Sequence, residues 1–212
     1  LSASHDETAK AVKGGLRIGV FGGAFDPPHL AHRALADVTI RQLGLDALHV
    51  MPTGQAWHKT RQLTPAHHRL AMTRLAFEGM QGVVVDEREI SRTGPSYTVD
   101  TLRELQGEYP GATLYLVMGE DQARAFTTWR DWQQIAKLAI ICVAARAHSA
   151  GATGQFNEEI AAGVYVHQLQ MPPNPVSATQ IRQQLADNQS ASALVFESVA
   201  RYIASHHLYQ TD

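Results

Sequence analysis

The sequence predicts an α/β protein built on a doubly wound, mostly parallel sheet, and three observations lead there. Short apolar runs recur along the 212 residues, at 16–21, 47–51, 83–85, 114–118, 139–143 and 164–168. Stretches with helical periodicity separate them, and crossover helices between successive strands force parallel pairing. The first and fourth runs end in glycine, at Gly22-Gly23 and at Gly119. Such sheets bind ligands beyond the carboxyl ends of their strands, near the point where the winding reverses.

Each element follows in turn. Residues 16–21 form the first strand, which Gly22-Gly23 leads into a tight loop. Residues 30–43 read as a helix with Leu35, Val38 and Leu43 on one face. The second strand, 47–51, is stopped by Pro52. A helix begins at Pro65 and runs to about Glu78, with Leu70, Leu75 and Phe77 on its apolar side. Residues 83–85 are the third strand, and 97–109 are helical until Pro110-Gly111 breaks them. After the strand at 114–118, one helical stretch runs through Ala136 to the strand at 139–143. A flexible loop at 148–154, a late strand at 164–168 and an irregular loop at 172–175 come next. Two helices close the chain as a small C-terminal helical part, 176–212. Residues 1–14 are polar and aperiodic and read as a flexible N-terminal tail, leaving 15–212 as a single domain.

Composition narrows the function classes. The chain is 44% hydrophobic and 18% charged with a net charge of −2, so it has neither the basic surplus of a nucleic-acid binder nor an acidic tail. No apolar stretch approaches the ~20 residues of a membrane span, and no signal-peptide pattern opens the sequence, so a cytoplasmic location is expected. The single cysteine, Cys142, leaves no internal disulfide or zinc-ribbon spacing and reads as a buried strand residue. Nothing in the sequence sets an oligomeric state.

The chemistry concentrates in Gly22-Gly-Ala-Phe-Asp-Pro-Pro-His-Leu-Ala-His32. Glycine lets backbone approach a phosphate closely and adopt φ > 0. The helix that follows aims unpaired N–H groups and its positive dipole end at the same place, so an anion is the natural guest. The pattern is neither G-x-G-x-x-G nor G-x-x-x-x-G-K-[ST], which sets aside dinucleotide and P-loop sites. His29 and His32, three apart, share a face of the first helical turn. With only Asp26 nearby they lack a metal-ligand set, and the reading preferred is that both imidazoles donate to phosphate oxygens.

A second anchor is Val176-Ser-Ala-Thr-Gln-Ile-Arg182. Ser177 and Gln180 fit a capping box, and Thr179 with Arg182 adds a hydroxyl and a fixed cation near a helix N-terminus, a combination suited to polyphosphate.

Together the two segments resemble the G-G-x-F-D-P-x-H-x-G-H and I-S-x-T-x-x-R signatures of the HxGH nucleotidyltransferase superfamily, with Ala31 in place of the usual glycine and Val176 in place of isoleucine. The resemblance implies a Rossmann-like nucleotidyltransferase fold. It further implies an ATP site built from Gly22, Gly23, Ala24, Phe25, His32, Gly119, Asp121, Ser177, Thr179 and Arg182, with His29, His32 and Arg182 catalytic. The middle of the chain is similar to bacterial nicotinate-mononucleotide adenylyltransferases. Pro52–Lys59 resembles their P-x(n)-H-K loop, which implies that Lys59, with His58, meets the acceptor phosphate. Ser96-Tyr-Thr-Val-Asp-Thr-Leu102 resembles S-Y-T-x-x-T-L, implying that the Thr98 hydroxyl and Val99 N–H meet a nicotinate carboxylate. Read physically, that segment is also a helix start capped by Ser96 or Thr98. Phe126-Thr-Thr-Trp129 implies stacking of Trp129 on the pyridine ring, beside Arg130 where relatives often have tyrosine, and Arg146 resembles an arginine of the family.

The activity implied is conversion of ATP and nicotinate mononucleotide to deamido-NAD and pyrophosphate in NAD biosynthesis. The attack is direct and in line, with Mg²⁺ on the ATP phosphates and no metal held by protein side chains. Another superfamily acceptor, or a nucleotide-binding module without chemistry, stands as the alternative.

Overall fold

The apolar runs become β1 (Arg17–Gly23), β2 (Ala47–Pro52), β3 (Val83–Val85), β4 (Thr113–Gly119), β5 (Ala139–Ala144) and β6 (Val166–Leu169). Every neighbouring pair is parallel, in the order β3-β2-β1-β4-β5-β6. This computed structural model describes residues 15–54, 62–144, 163–164, 166–172 and 174–210. The tail at 1–14 and the loop at 148–154 lie outside the described residues. The strand order is that of a doubly wound sheet, with the reversal between β1 and β4, so the two glycine-ended strands stand side by side at the switch point.

Side chains alternate across the sheet and feed two cores. In β4, Tyr115 and Val117 enter one core while Leu114, Leu116 and Met118 enter the other. The first core is closed by α1 (Leu30–Leu43), α2 (Ala66–Phe77), α7 (Ala178–Ala186) and α8 (Glu197–Ser205). The second is closed by α4 (Thr98–Glu108), α5 (Glu120–Arg124) and α6 (Trp132–Leu138). Cys142 is buried in β5 as expected, and burial pushes its thiol up to about 12. No described helix is long and apolar enough to cross a membrane.

Four details differ from the expectation. The stretch through Ala136 is broken: α5 gives way to a 3-10 turn at Phe126–Thr128, Trp129 returns to extended backbone, and Asp131 is left-handed (φ 53) before α6. The break brings both Phe126 and Ile135 into the second core while Trp129 stays half-buried. A short helix, α3 (Arg88–Ser91), interrupts the link from β3 to α4. β6 begins at Val166 and ends at Leu169. On α2 the buried side chains are Arg69, Met72, Thr73, Ala76 and Phe77, with Leu70 and Leu75 only half-buried. The helix turns Arg69 inward because backbone carbonyls await it there: Nε donates to Thr64 O (2.9 Å), and the two terminal nitrogens donate to Ala24 O (2.9 Å) and Gly54 O (3.3 Å). A buried cation is tolerated when its donors are met.

Candidate active site

β1 does not stop at Phe21. Gly22 and Gly23 are its last residues, paired with Met51 and Pro52, and neither has a positive φ. The left-handed residue is Phe25, φ 47, so the expected glycine conformation is corrected. The glycines provide space instead. A Cβ on Gly23 would lie 3.1 Å from the Phe25 ring, whereas one on Gly22 would meet nothing within 4 Å, leaving that position open to a ligand.

The histidines come next. His29 is the N-cap of α1 and His32 its N3 residue, with ring centroids 3.8 Å apart and tilted by 34°. The His29 backbone N–H donates to His32 Nδ1 at 3.1 Å, the reach-back half of a capping box. That bond places the His32 proton on Nε2. Phe25 flanks the ring at 4.9 Å and holds its orientation. His29 is only 6% exposed, and burial lowers its pKa from 6.5 to about 4, so it is neutral at pH 7. Among the described residues its Nδ1 has no hydrogen-bond partner. A buried nitrogen in that state is uncommon and costly, and a ligand oxygen would satisfy it.

Facing these, Ser177 caps α7 by accepting from the Gln180 N–H at 3.2 Å, as the capping signature predicts. Arg182, one turn in, donates to Asp26 O (2.8 Å) and to Thr179 Oγ1 (3.1 Å). The second motif is thereby tied to the first across 156 residues of sequence. A cavity of about 560 Å³ lies between them, and Gly22, Gly23, Ala24, Phe25, His29, His32, Gly119, Asp121, Ser177, Thr179 and Arg182 all line it. Every residue expected on the ATP side is in that lining. The volume suits a nucleotide-sized ligand.

Two residues here escaped sequence reading. Arg69 was hidden in a helix judged by its leucines; the signal available was a charge at a position where the true core face runs. Tyr209 donates to Asp26 Oδ1 at 2.7 Å, and no spacing could tie residues 183 apart.

The residues expected to meet the acceptor are outside this lining. Thr98, Val99, Trp129 and Arg130 do not line the cavity. Tyr97, not Ser96 or Thr98, is the N-cap of α4, and no side chain caps it. Ser96 Oγ donates instead to Glu89 O at 2.8 Å. The N–H groups of Asp100 and Thr101 bond Tyr97 O, while those of Thr98 and Val99 find no acceptor among the described residues. The Arg130 guanidinium lies 4.5 Å from the Tyr97 ring centroid, joining the loop before α6 to the start of α4. Trp129 packs beside Phe126 with centroids 5.9 Å apart. His58, Lys59 and Arg146 lie outside the described residues.

The family described as Cytidylyltransferase-like matches residues 20–184. A protein of Albidiferax ferrireducens named probable nicotinate-nucleotide adenylyltransferase is 58% identical over 195 residues, covering 92% of this chain and 98% of its own. One of the same name from Bordetella pertussis is 42% identical over 199 residues, covering 92% and 98%. In structure, the Plasmodium falciparum nicotinic acid mononucleotide adenylyltransferase complexed with NaAD matches with a TM-score of 0.74 at 18% identity, covering 92% of this chain and 97% of that one, which speaks to the fold. With a family match over most of its length and near-full-length relatives well above 30% identity, the chain belongs to the nicotinate-nucleotide adenylyltransferase family of cytidylyltransferase-like nucleotidyltransferases.

Proposed function

We propose that this enzyme transfers the adenylyl group of ATP to the phosphate of nicotinate mononucleotide, giving deamido-NAD and pyrophosphate in NAD biosynthesis. The observation that carries the reading is the single cavity that gathers His29, His32 and Arg182 in a chain whose relatives bear that enzyme's name. An acceptor phosphate oxygen attacks the α-phosphorus, a new O–P bond forms, and the bond to the β-phosphate bridging oxygen breaks in line. The acceptor is already ionised at neutral pH, so no general base is required, and catalysis is positioning plus charge stabilisation. His32 Nε2–H is the donor to the α-phosphate in the transition state, and His29 the partner beside it. Thr179, Arg182 and the N-terminus of α7 hold the β- and γ-phosphates, with Gly22 giving them room.

Nucleotidyltransferases of this family work on ATP with a divalent cation, and we assign Mg²⁺ to that place. Asp26, the carboxylate beside the histidines, is engaged by Tyr209 and Thr64, and the ion would sit on the ATP phosphates. Bound there, such an ion would supply charge neutralisation to the phosphates, while Thr179, Arg182 and the N-terminus of α7 do the holding. On the acceptor side, the Thr98 hydroxyl and the Val99 N–H would take the carboxylate, Trp129 the pyridine ring and Lys59 the phosphate, with Arg130 at the rim. Residues 15–212 act as one catalytic domain, and the expected compartment is the cytoplasm.

The test is pyrophosphate release with ATP and matched acceptors. Turnover with nicotinate mononucleotide and strong rejection of the nicotinamide form is expected, because a site built for a carboxylate is left with unpaired donors by an amide. Turnover only with an unrelated acceptor phosphate, or with none, overturns the reading.

A further inference from the structure

We propose that Tyr209 is a positioning residue for nucleotidyl transfer, holding the catalytic loop in register through Asp26; this rests on the adenylyltransferase reading above. Asp26 is a carboxylate 1% exposed, and its own carbonyl accepts Arg182. Its side chain is held from two directions: Oδ1 accepts the Tyr209 hydroxyl at 2.7 Å and Oδ2 accepts the Thr64 N–H at 3.3 Å. Asp26 stands three residues before His29, whose N–H sets the His32 tautomer, so a shift at Asp26 reaches both imidazoles.

The segment after α8 is shaped to deliver this phenol. The helix ends in a Schellman motif, in which the His207 N–H meets Ala204 O and the Leu208 N–H meets Ile203 O. His207 occupies the left-handed position (φ 49) that glycine usually takes, and Tyr209 itself is left-handed (φ 65). Two side-chain-bearing residues held in that region within three positions mean that surrounding contacts over-determine the turn. Leu208 packs on the first core, and Tyr209 ends against Asp26. Burial, and then the Asp26 charge, push the Tyr209 pKa well above its usual value, which keeps the hydroxyl a donor.

The expected signature is a loss in kcat without a loss of substrate binding. Tyr209→Phe removes one oxygen and should lower kcat about 10-fold, on the scale of one lost hydrogen bond to a charged group. Both KM values should stay within about twofold. Tyr202→Phe is the control: its hydroxyl meets His68 Nδ1 at 3.0 Å, joining the same α8 to α2 away from Asp26, and kcat should hold. Rates are taken well below each melting temperature, with the folded fraction checked by circular dichroism. The ratio of variant to wild type, with whichever acceptor the wild type uses, tests the role of Tyr209. Wild-type turnover on nicotinate mononucleotide tests the underlying reading separately. A Tyr209→Phe enzyme within twofold of wild type in kcat, or an equal loss in Tyr202→Phe, overturns the proposal.

Discussion

The proposed nucleotide half of the site is pinned by buried polar side chains, whereas on the proposed acceptor half Thr98, Trp129 and Arg130 stay partly or fully in solvent around a buried Val99. On the first side Asp26, His29 and Arg69 are nearly inaccessible, and each except His29 has its polar atoms engaged. On the second, Thr98 and Trp129 are half-buried and Arg130 is exposed. The buried group of the acceptor side lies one layer below, where Glu89 accepts the Thr101 hydroxyl at 2.9 Å and its carbonyl holds Ser96. The difference follows from what each half must do. Charge develops at phosphorus, where donors already oriented in a dry site act most strongly. The proposed pyridine-ring subsite lies away from the reacting phosphorus and serves recognition, while the acceptor phosphate itself still has to be held in line.

The largest expected effect comes from breaking the pinned half. His32→Ala removes the oriented Nε2–H and should lower kcat by about 10²-fold or more, on the scale of losing one oxyanion donor. Steady-state pyrophosphate release checks it, and a variant that turns over like wild type removes His32 from the chemistry.

Acid sharpens the same contrast. His29 has a folded pKa of about 4 against an ordinary 6.5, so the unfolded chain takes the proton first as pH falls. Its contribution to stability is therefore complete above pH 6.5 and is lost between there and pH 4, amounting to roughly 3 kcal/mol. Burial raises Glu89 instead, so protonation of that one group favours the folded form. Urea unfolding of wild type and His29→Gln from pH 7 to pH 4.5 measures this. The two stability curves should converge on acidification; parallel curves would show that His29 is not the sensor.

How far these halves could be read in advance follows from their chemistry. The sheet was legible because a buried parallel strand must be apolar on both faces, and all six runs did become strands. Ser177 was legible because a cap is a local bargain between residues three apart. The glycines were assigned to the right place for partly the wrong reason, since the sharp turn falls to Phe25, whose ring packs against Gly23 and His32. Arg69 and Tyr209 were illegible because their partners are backbone carbonyls and a carboxylate brought near only by the finished fold. The same holds for the break at Trp129, which tertiary burial of Phe126 and Ile135 imposes on a locally helical sequence.

The smallest expected effect lies in the proposed acceptor half. Trp129 is half-buried against Phe126, so one side of its indole is occupied and its remaining surface is what a pyridinium ring could cover. Trp129→Leu keeps apolar bulk against Phe126 while deleting the π face. Cation–π attraction contributes about 0.5–2 kcal/mol, so KM for nicotinate mononucleotide should rise roughly 2- to 30-fold. KM for ATP and kcat should stay near wild type, because the cavity proposed for the triphosphate does not include Trp129 in its lining. Should both KM values rise together, the two halves would be coupled through the second core, and Trp129 would belong with the packing residues rather than with recognition.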